Sequence, residues 1–79
     1  MEDNLWKLCY NKFFKLLIDR GIRKMEFAKM AGISQNTMAR LSRNQNVSLD
    51  VLGKICCTLD CKIDDILEFI SESEDGKII

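Results

Sequence analysis

Gln35, Asn36, Arg40 and Arg43 are spaced to share one side of an α-helix. At 100° per residue, with Gln35 at 0°, Ala39, Arg43, Asn36 and Arg40 fall at about 40°, 80°, 100° and 140°, while Met38 and Leu41 fall at about 300° and 240°. The apolar pair would face a core and the polar arc would face outward. The chemistry such an arc offers is hydrogen-bond readout of base edges. A Gln or Asn amide pairs bidentately with adenine, and an Arg guanidinium does so with guanine. No carboxylate lies on the arc to repel phosphate. The helix N-terminus adds unsatisfied N–H groups and a partial positive charge.

Other chemistries find little support. The chain has no His, so the usual general base at neutral pH is absent, and a Cys nucleophile would have no imidazole to activate it. An enzyme is not expected. Cys9, Cys56, Cys57 and Cys61 form no C-x-x-C pair. Cys57 and Cys61 are spaced to share a helix face, but only Cys9 could extend a zinc set, so buried structural thiols are the better reading. Asp60, Asp64, Asp65, Glu68, Glu72, Glu74 and Asp75 lack the spacing of a calcium loop and read as a solvated face. No metal, cofactor or small-molecule effector is expected. The acidic start and the Lys-interrupted residues after it are neither a signal peptide nor a membrane span, so a cytoplasmic location is expected.

The elements that must position the arc can be read from apolar spacing. Leu5, Cys9, Phe13, Leu16, Leu17 and Arg20 step by threes and fours, predicting a first helix of about 15 residues that Gly21 stops. Phe27, Ala28 and Ala31 mark a short second helix, ended by Gly32. Ser34 is a suitable N-cap for the third, which packs through Met38 and Leu41. Asn44-Gln45-Asn46 reads as a loop. Ser48 caps a fourth helix with the stripe Leu49, Leu52, Ile55, Cys56 and Leu59. Ile63, Ile66, Leu67 and Ile70 predict a fifth. The expected fold is all-α, with five helices in one domain over residues 1–70 and an acidic tail over 71–79.

Residues 24–43 place two short helices around Ala31-Gly32-Ile33-Ser34, the spacing of a helix-turn-helix. With that turn stand Leu16-Leu17, Arg20-Gly21, Glu26-Phe27-Ala28, Thr37, Arg40-Leu41, Val47-Ser48-Leu49, Leu52, Lys54-Ile55-Cys56, Leu59, Cys61 and Asp65-Ile66-Leu67. On these residues, from roughly 12 to 70, the chain resembles the lambda-repressor-like, Cro-type (XRE) helix-turn-helix regulators, especially their small single-domain members. The resemblance implies a transcriptional regulator, in the repressor sense, of bacterial or phage type. It implies recognition helix 34–43 in the major groove of double-stranded DNA. Gln35, Asn36 and Arg40 would face bases, and Lys24, Ser34, Arg43, Asn44 and Gln45 would meet phosphates. A homodimer on two half-sites about one helical turn apart is also implied. The chain departs from the family pattern at Arg23 and Lys62, where a capping residue is usual, and at Lys24, where Gln is common. An Arg–Glu pair of some phage repressors maps onto Leu17 and Ser42 and is missing.

Tyr10, Phe14 and Ile18 recur every fourth residue on the first helix, and Trp6 extends the line. A small monomer rarely exposes such a stripe, so a homodimer contact or cover by Lys77-Ile78-Ile79 is expected there. The alternative to DNA binding is a protein-interaction module on the same fold, an antitoxin or anti-repressor partner, using this stripe. Charge favours DNA. The chain is neutral only in sum: residues 1–47 hold nine basic and four acidic residues, and residues 48–79 hold three and eight. The basic half contains the helix-turn-helix, and its local field would orient the domain toward a polyanion.

Overall fold

The computed structural model describes residues 6–71. Along the chain run β1 (Trp6–Cys9), α1 (Asn11–Asp19), α2 (Lys24–Ala31), α3 (Gln35–Ser42), α4 (Leu49–Leu59), a 3-10 turn (Ile63–Asp65) and β2 (Glu68–Ser71). The class is all-α with a small sheet added, and among the described residues the helix count is four rather than five. The expected first helix loses its front, because residues 6–9 pair antiparallel with β2 in the register Trp6–Ser71, Lys7–Ile70, Leu8–Phe69 and Cys9–Glu68. The expected fifth helix shrinks to the 3-10 turn. Its apolar spacing does not make a buried stripe: Ile66 is buried, whereas Ile63 and Ile70 are exposed. An isolated helix of that length is marginal in water, and the strand hydrogen bonds satisfy the backbone of both segments at once. Ser71, expected to begin the tail, ends β2. The rest of that tail, with Lys77-Ile78-Ile79, lies outside the described residues.

All four helices end in the same way. Gly21, Gly32, Asn44 and Asp60 have φ of 68°, 71°, 57° and 54°. In each case the next residue, Ile22, Ile33, Gln45 or Cys61, returns its N–H to a carbonyl five residues back, at 2.9–3.0 Å. This is the left-handed stop that satisfies the last carbonyls of a helix. Glycine takes the conformation freely, and Asn and Asp are the side chains that tolerate it best.

The starts of α3 and α4 differ in kind from those of α2 and the 3-10 turn. Ser34 Oγ accepts from Thr37 N–H at 3.1 Å, and Ser48 Oγ accepts from Val51 N–H at 3.2 Å. Arg23 and Lys62 have no side-chain acceptor to offer. There the third residue supplies it: Glu26 Oε1 accepts from Arg23 N–H at 3.3 Å, and Asp65 Oδ2 from Lys62 N–H at 2.9 Å. Half of a capping box thus stands where the usual cap is missing.

The core joins Tyr10, Phe13 and Leu17 to Phe27 and Ala28, Ile33, Met38 and Leu41, then to Leu52, Ile55, Leu59 and Ile66. The rings of Phe13 and Phe27 meet edge to face, with centroids 5.2 Å apart. Burying each such ring contributes about 1.5–3 kcal/mol. Arg20 Nη1 donates to Leu59 O at 2.6 Å, placing a cation on the negative end of α4. Of the four cysteines, Cys9 is buried, Cys56 and Cys61 are half-buried and Cys57 is exposed, so the expectation of buried thiols holds only in part. Among the described residues, no helix is long and apolar enough to cross a membrane.

Candidate nucleic-acid interface

The expected pair of helices is present. α2 runs from the half capping box at Arg23 to Gly32, and α3 starts from the Ser34 cap three residues after Ala31. Gly32 in the left-handed region turns the chain, and buried Ala28 leaves room for close approach. Met38 and Leu41 point into the core. Gln35, Asn36, Arg40 and Arg43 are exposed and Ala39 is half-buried, so the polar arc drawn by angle faces solvent.

Gln35 and Lys24 are brought together. Both line a groove of about 230 Å³ between α2 and α3, whose floor includes Ala28, Met38 and Ala39 and whose rim includes Met25 and Ser42. Asn36 and Arg40 stand on the arc outside this groove. Ser42 would fall at about 340° on the same wheel as Gln35, so its place beside Gln35 was open to sequence reading. Met25 gave no such signal. The Ser34 hydroxyl stays at the surface: besides capping, it donates to Thr37 Oγ1 at 3.0 Å. Lys24 Nζ sits 4.7 Å from the centre of the Phe14 ring, within the range of a cation–π contact.

The segment after α3 is held by a residue expected to do something else. The helical spacing puts Tyr10 on an exposed stripe, yet only 1% of it is accessible. Its hydroxyl donates to Gln45 O at 2.8 Å, and its backbone N–H donates to Asn44 Oδ1 at 2.9 Å. Burial pushes the Tyr10 phenol above its ordinary pKa, which keeps the hydroxyl a donor. The stripe does not survive as one surface: Trp6 belongs to β1, Tyr10 is in the core, Phe14 is half-buried and Ile18 alone is 76% exposed. The helical spacing that joined them is interrupted where α1 begins at Asn11. Nothing in the sequence signalled the Tyr10 contacts, because they cross 34 and 35 residues.

The ion pairs among the described residues lie away from the arc: Lys12 with Glu68 at 4.0 Å and Lys54 with Asp50 at 3.7 Å. Lys12 also donates to Asp64 O at 3.1 Å. Part of the charge surplus of the basic half is therefore spent on the sheet and the 3-10 turn, while Arg40 and Arg43 point to solvent beside Gln35 and Asn36.

Two short helices, a left-handed glycine turn and an outward polar arc define a helix-turn-helix DNA-binding domain. The family model of the Cro/C1-type helix-turn-helix DNA-binding domain matches residues 12–72, and the chain belongs to that family. This is the family that the Ala-Gly-Ile-Ser turn and its flanking residues implied. The chain is similar to the crystal structure of the transcriptional regulator VanUg, with 42% identity and a TM-score of 0.83, over 90% of this chain and 95% of that one. No curated protein matches the chain.

Proposed function

We propose that this protein is a transcriptional repressor that binds operator DNA as a homodimer, with residues 34–43 of each copy in the major groove. The observation that carries the reading is the exposed, carboxylate-free arc of Gln35, Asn36 and Arg40 beside the α2–α3 groove. Gln35 and Asn36 offer amides suited to adenine, and Arg40 a guanidinium suited to guanine. Lys24, Arg43, Asn44 and Gln45 flank the arc and meet phosphates, which supply affinity and register without sequence information. Ser34 serves the same end through the helix it caps, since the N–H groups of Gln35 and Asn36 at its start suit a phosphate oxygen. The family and the likeness to a transcriptional regulator support this assignment. The rival reading, a protein-interaction module, relied on the Trp6–Tyr10–Phe14–Ile18 stripe and loses its surface with Tyr10 in the core.

Selection from random duplex DNA, followed by gel-shift titration at two salt concentrations, tests the proposal. A recovered site with two-fold symmetry and half-sites about one helical turn apart is the expected result. No retardation at low salt would sink the DNA reading, and an asymmetric single half-site would sink the dimer.

A further inference from the structure

Tyr10 is tied twice to one short stretch of chain. Its backbone N–H and its hydroxyl reach successive residues, Asn44 and Gln45, at 2.9 and 2.8 Å. Among the described residues, the other bonds to the stretch come from its own side: Asn44, at a φ of 57°, returns its N–H to Leu41 O at 3.1 Å, and Gln45 N–H returns to Arg40 O at 2.9 Å. Asn44 and Gln45 are themselves exposed and follow directly on Arg43, at the end of the polar arc. Oδ1 of Asn44 is committed to Tyr10, so that side chain serves the fold first. Gln45 is anchored through its carbonyl, and its side-chain amide is left to face outward.

We infer that Tyr10 is a positioning residue for DNA binding: it fixes the Asn44–Gln45 segment so that the Gln45 amide meets a backbone phosphate beside α3. The inference rests on the reading that this segment touches DNA. A contact made by a loop needs its geometry set beforehand, since ordering it on binding would cost conformational entropy. Tyr10 sets it from the core, where its ring is packed out of solvent, and the fixed segment in turn fixes how far α3 can enter the groove. An aromatic residue with a hydroxyl is required, because Phe would fill the core and leave the Gln45 carbonyl without its donor.

The test is a double-mutant cycle in DNA affinity, measured by fluorescence anisotropy on the selected duplex well below the unfolding temperature of every variant. Tyr10→Phe keeps the ring, so the fold is retained. Tyr10→Phe and Gln45→Ala are each expected to weaken binding roughly threefold to tenfold, the value of one ordinary hydrogen bond. The double variant is expected to bind no worse than the weaker single variant, within about twofold, because both changes remove the same contact. Amide exchange at Asn44 and Gln45, whose N–H groups return to Leu41 O and Arg40 O, should quicken in Tyr10→Phe while Leu52 and Ile55 stay protected. Wild-type affinity in Tyr10→Phe overturns the inference, as does an equal loss in both backgrounds, which a merely structural role would give. Unchanged binding by Gln45→Ala overturns it too, since there would be nothing to position. Arg40→Ala run in parallel separates the two levels. If it also binds as wild type, the groove assignment itself fails. If it weakens binding while Tyr10→Phe does not, only the role of Tyr10 falls.

Discussion

The helix-turn-helix and the β1–β2 ribbon are made by opposite means. Between Arg23 and Arg43, most of the local structure depends on partners within five residues: the Ser34 cap, the Glu26 half-box, the Gly32 stop and the return of Ile33 N–H to Ala28 O. The ribbon depends on partners about sixty residues away, Trp6 with Ser71 and Cys9 with Glu68. The difference teaches where rigidity is invested. The polar arc of α3 is held by local bonds and backed by core side chains from every helix. The ribbon holds the two ends of the described span and carries an exposed Phe69.

Four substitutions and one titration can break or sharpen this contrast. Leu41→Ala should do most damage, because Leu41 is wholly buried on the inner face of α3. A loss of about 2–5 kcal/mol is expected in denaturant unfolding, enough to threaten a domain of this size. Arg40→Ala should leave stability alone and cost about 1–3 kcal/mol in binding, with relaxed choice at one base position in a repeated selection. Ser34→Ala should cost about 1 kcal/mol of stability through the lost cap. If its affinity for DNA falls more than its stability does, the hydroxyl touches phosphate as well. Phe69→Ala should be the mildest, about 0.2–1 kcal/mol of stability from the lost cross-strand pair with Leu8. Its DNA affinity should match wild type, and a fall would show that the ribbon is not separate from the binding half.

The titration concerns Tyr10 and Cys61. Both are raised above their ordinary pKa, chiefly by burial, and Cys61 also by its neighbours Cys56 and Asp65. A group raised in the folded state stabilises it below the unfolded pKa, and that stability is lost as pH climbs through the folded value. Unfolding free energy should therefore hold steady through neutral pH and decline once the medium turns alkaline. Tyr10→Phe should remove its share of the decline, which denaturant curves on either side of that range would measure.

What the sequence made legible follows the same division. Gly21, Gly32, Ser34 and Ser48 act on their own neighbourhoods, and each was readable because its chemistry is local. Asn44 and Asp60 end their helices by the same geometry as the two glycines, but a polar residue at a left-handed position looks like any loop residue in a string of letters. Residues 6–9 misled because Leu5, Cys9 and Phe13 fit a helical step, and a four-residue run cannot declare its period. Only the distant partner strand decides it. The arc on α3 was legible by angle alone. The grip of Tyr10 on the segment after α3 was not, since it depends on which side of the core that segment passes. Charge was legible as a split between halves, but not the use of Arg20 on the α4 terminus or of Lys12 beside Glu68.

The ribbon also has a bearing on time. Its strands are among the most distant parts of the chain to meet, so the loop they close is long and its closure entropy must be met before any strand bond forms. The helices, which need only near neighbours, can assemble ahead of it. Ribbon substitutions such as Phe69→Ala would then leave the refolding limb of a chevron in place and raise the unfolding limb, so that the native state is left faster. The ends of the domain would act as a brake on unfolding rather than as a seed of folding.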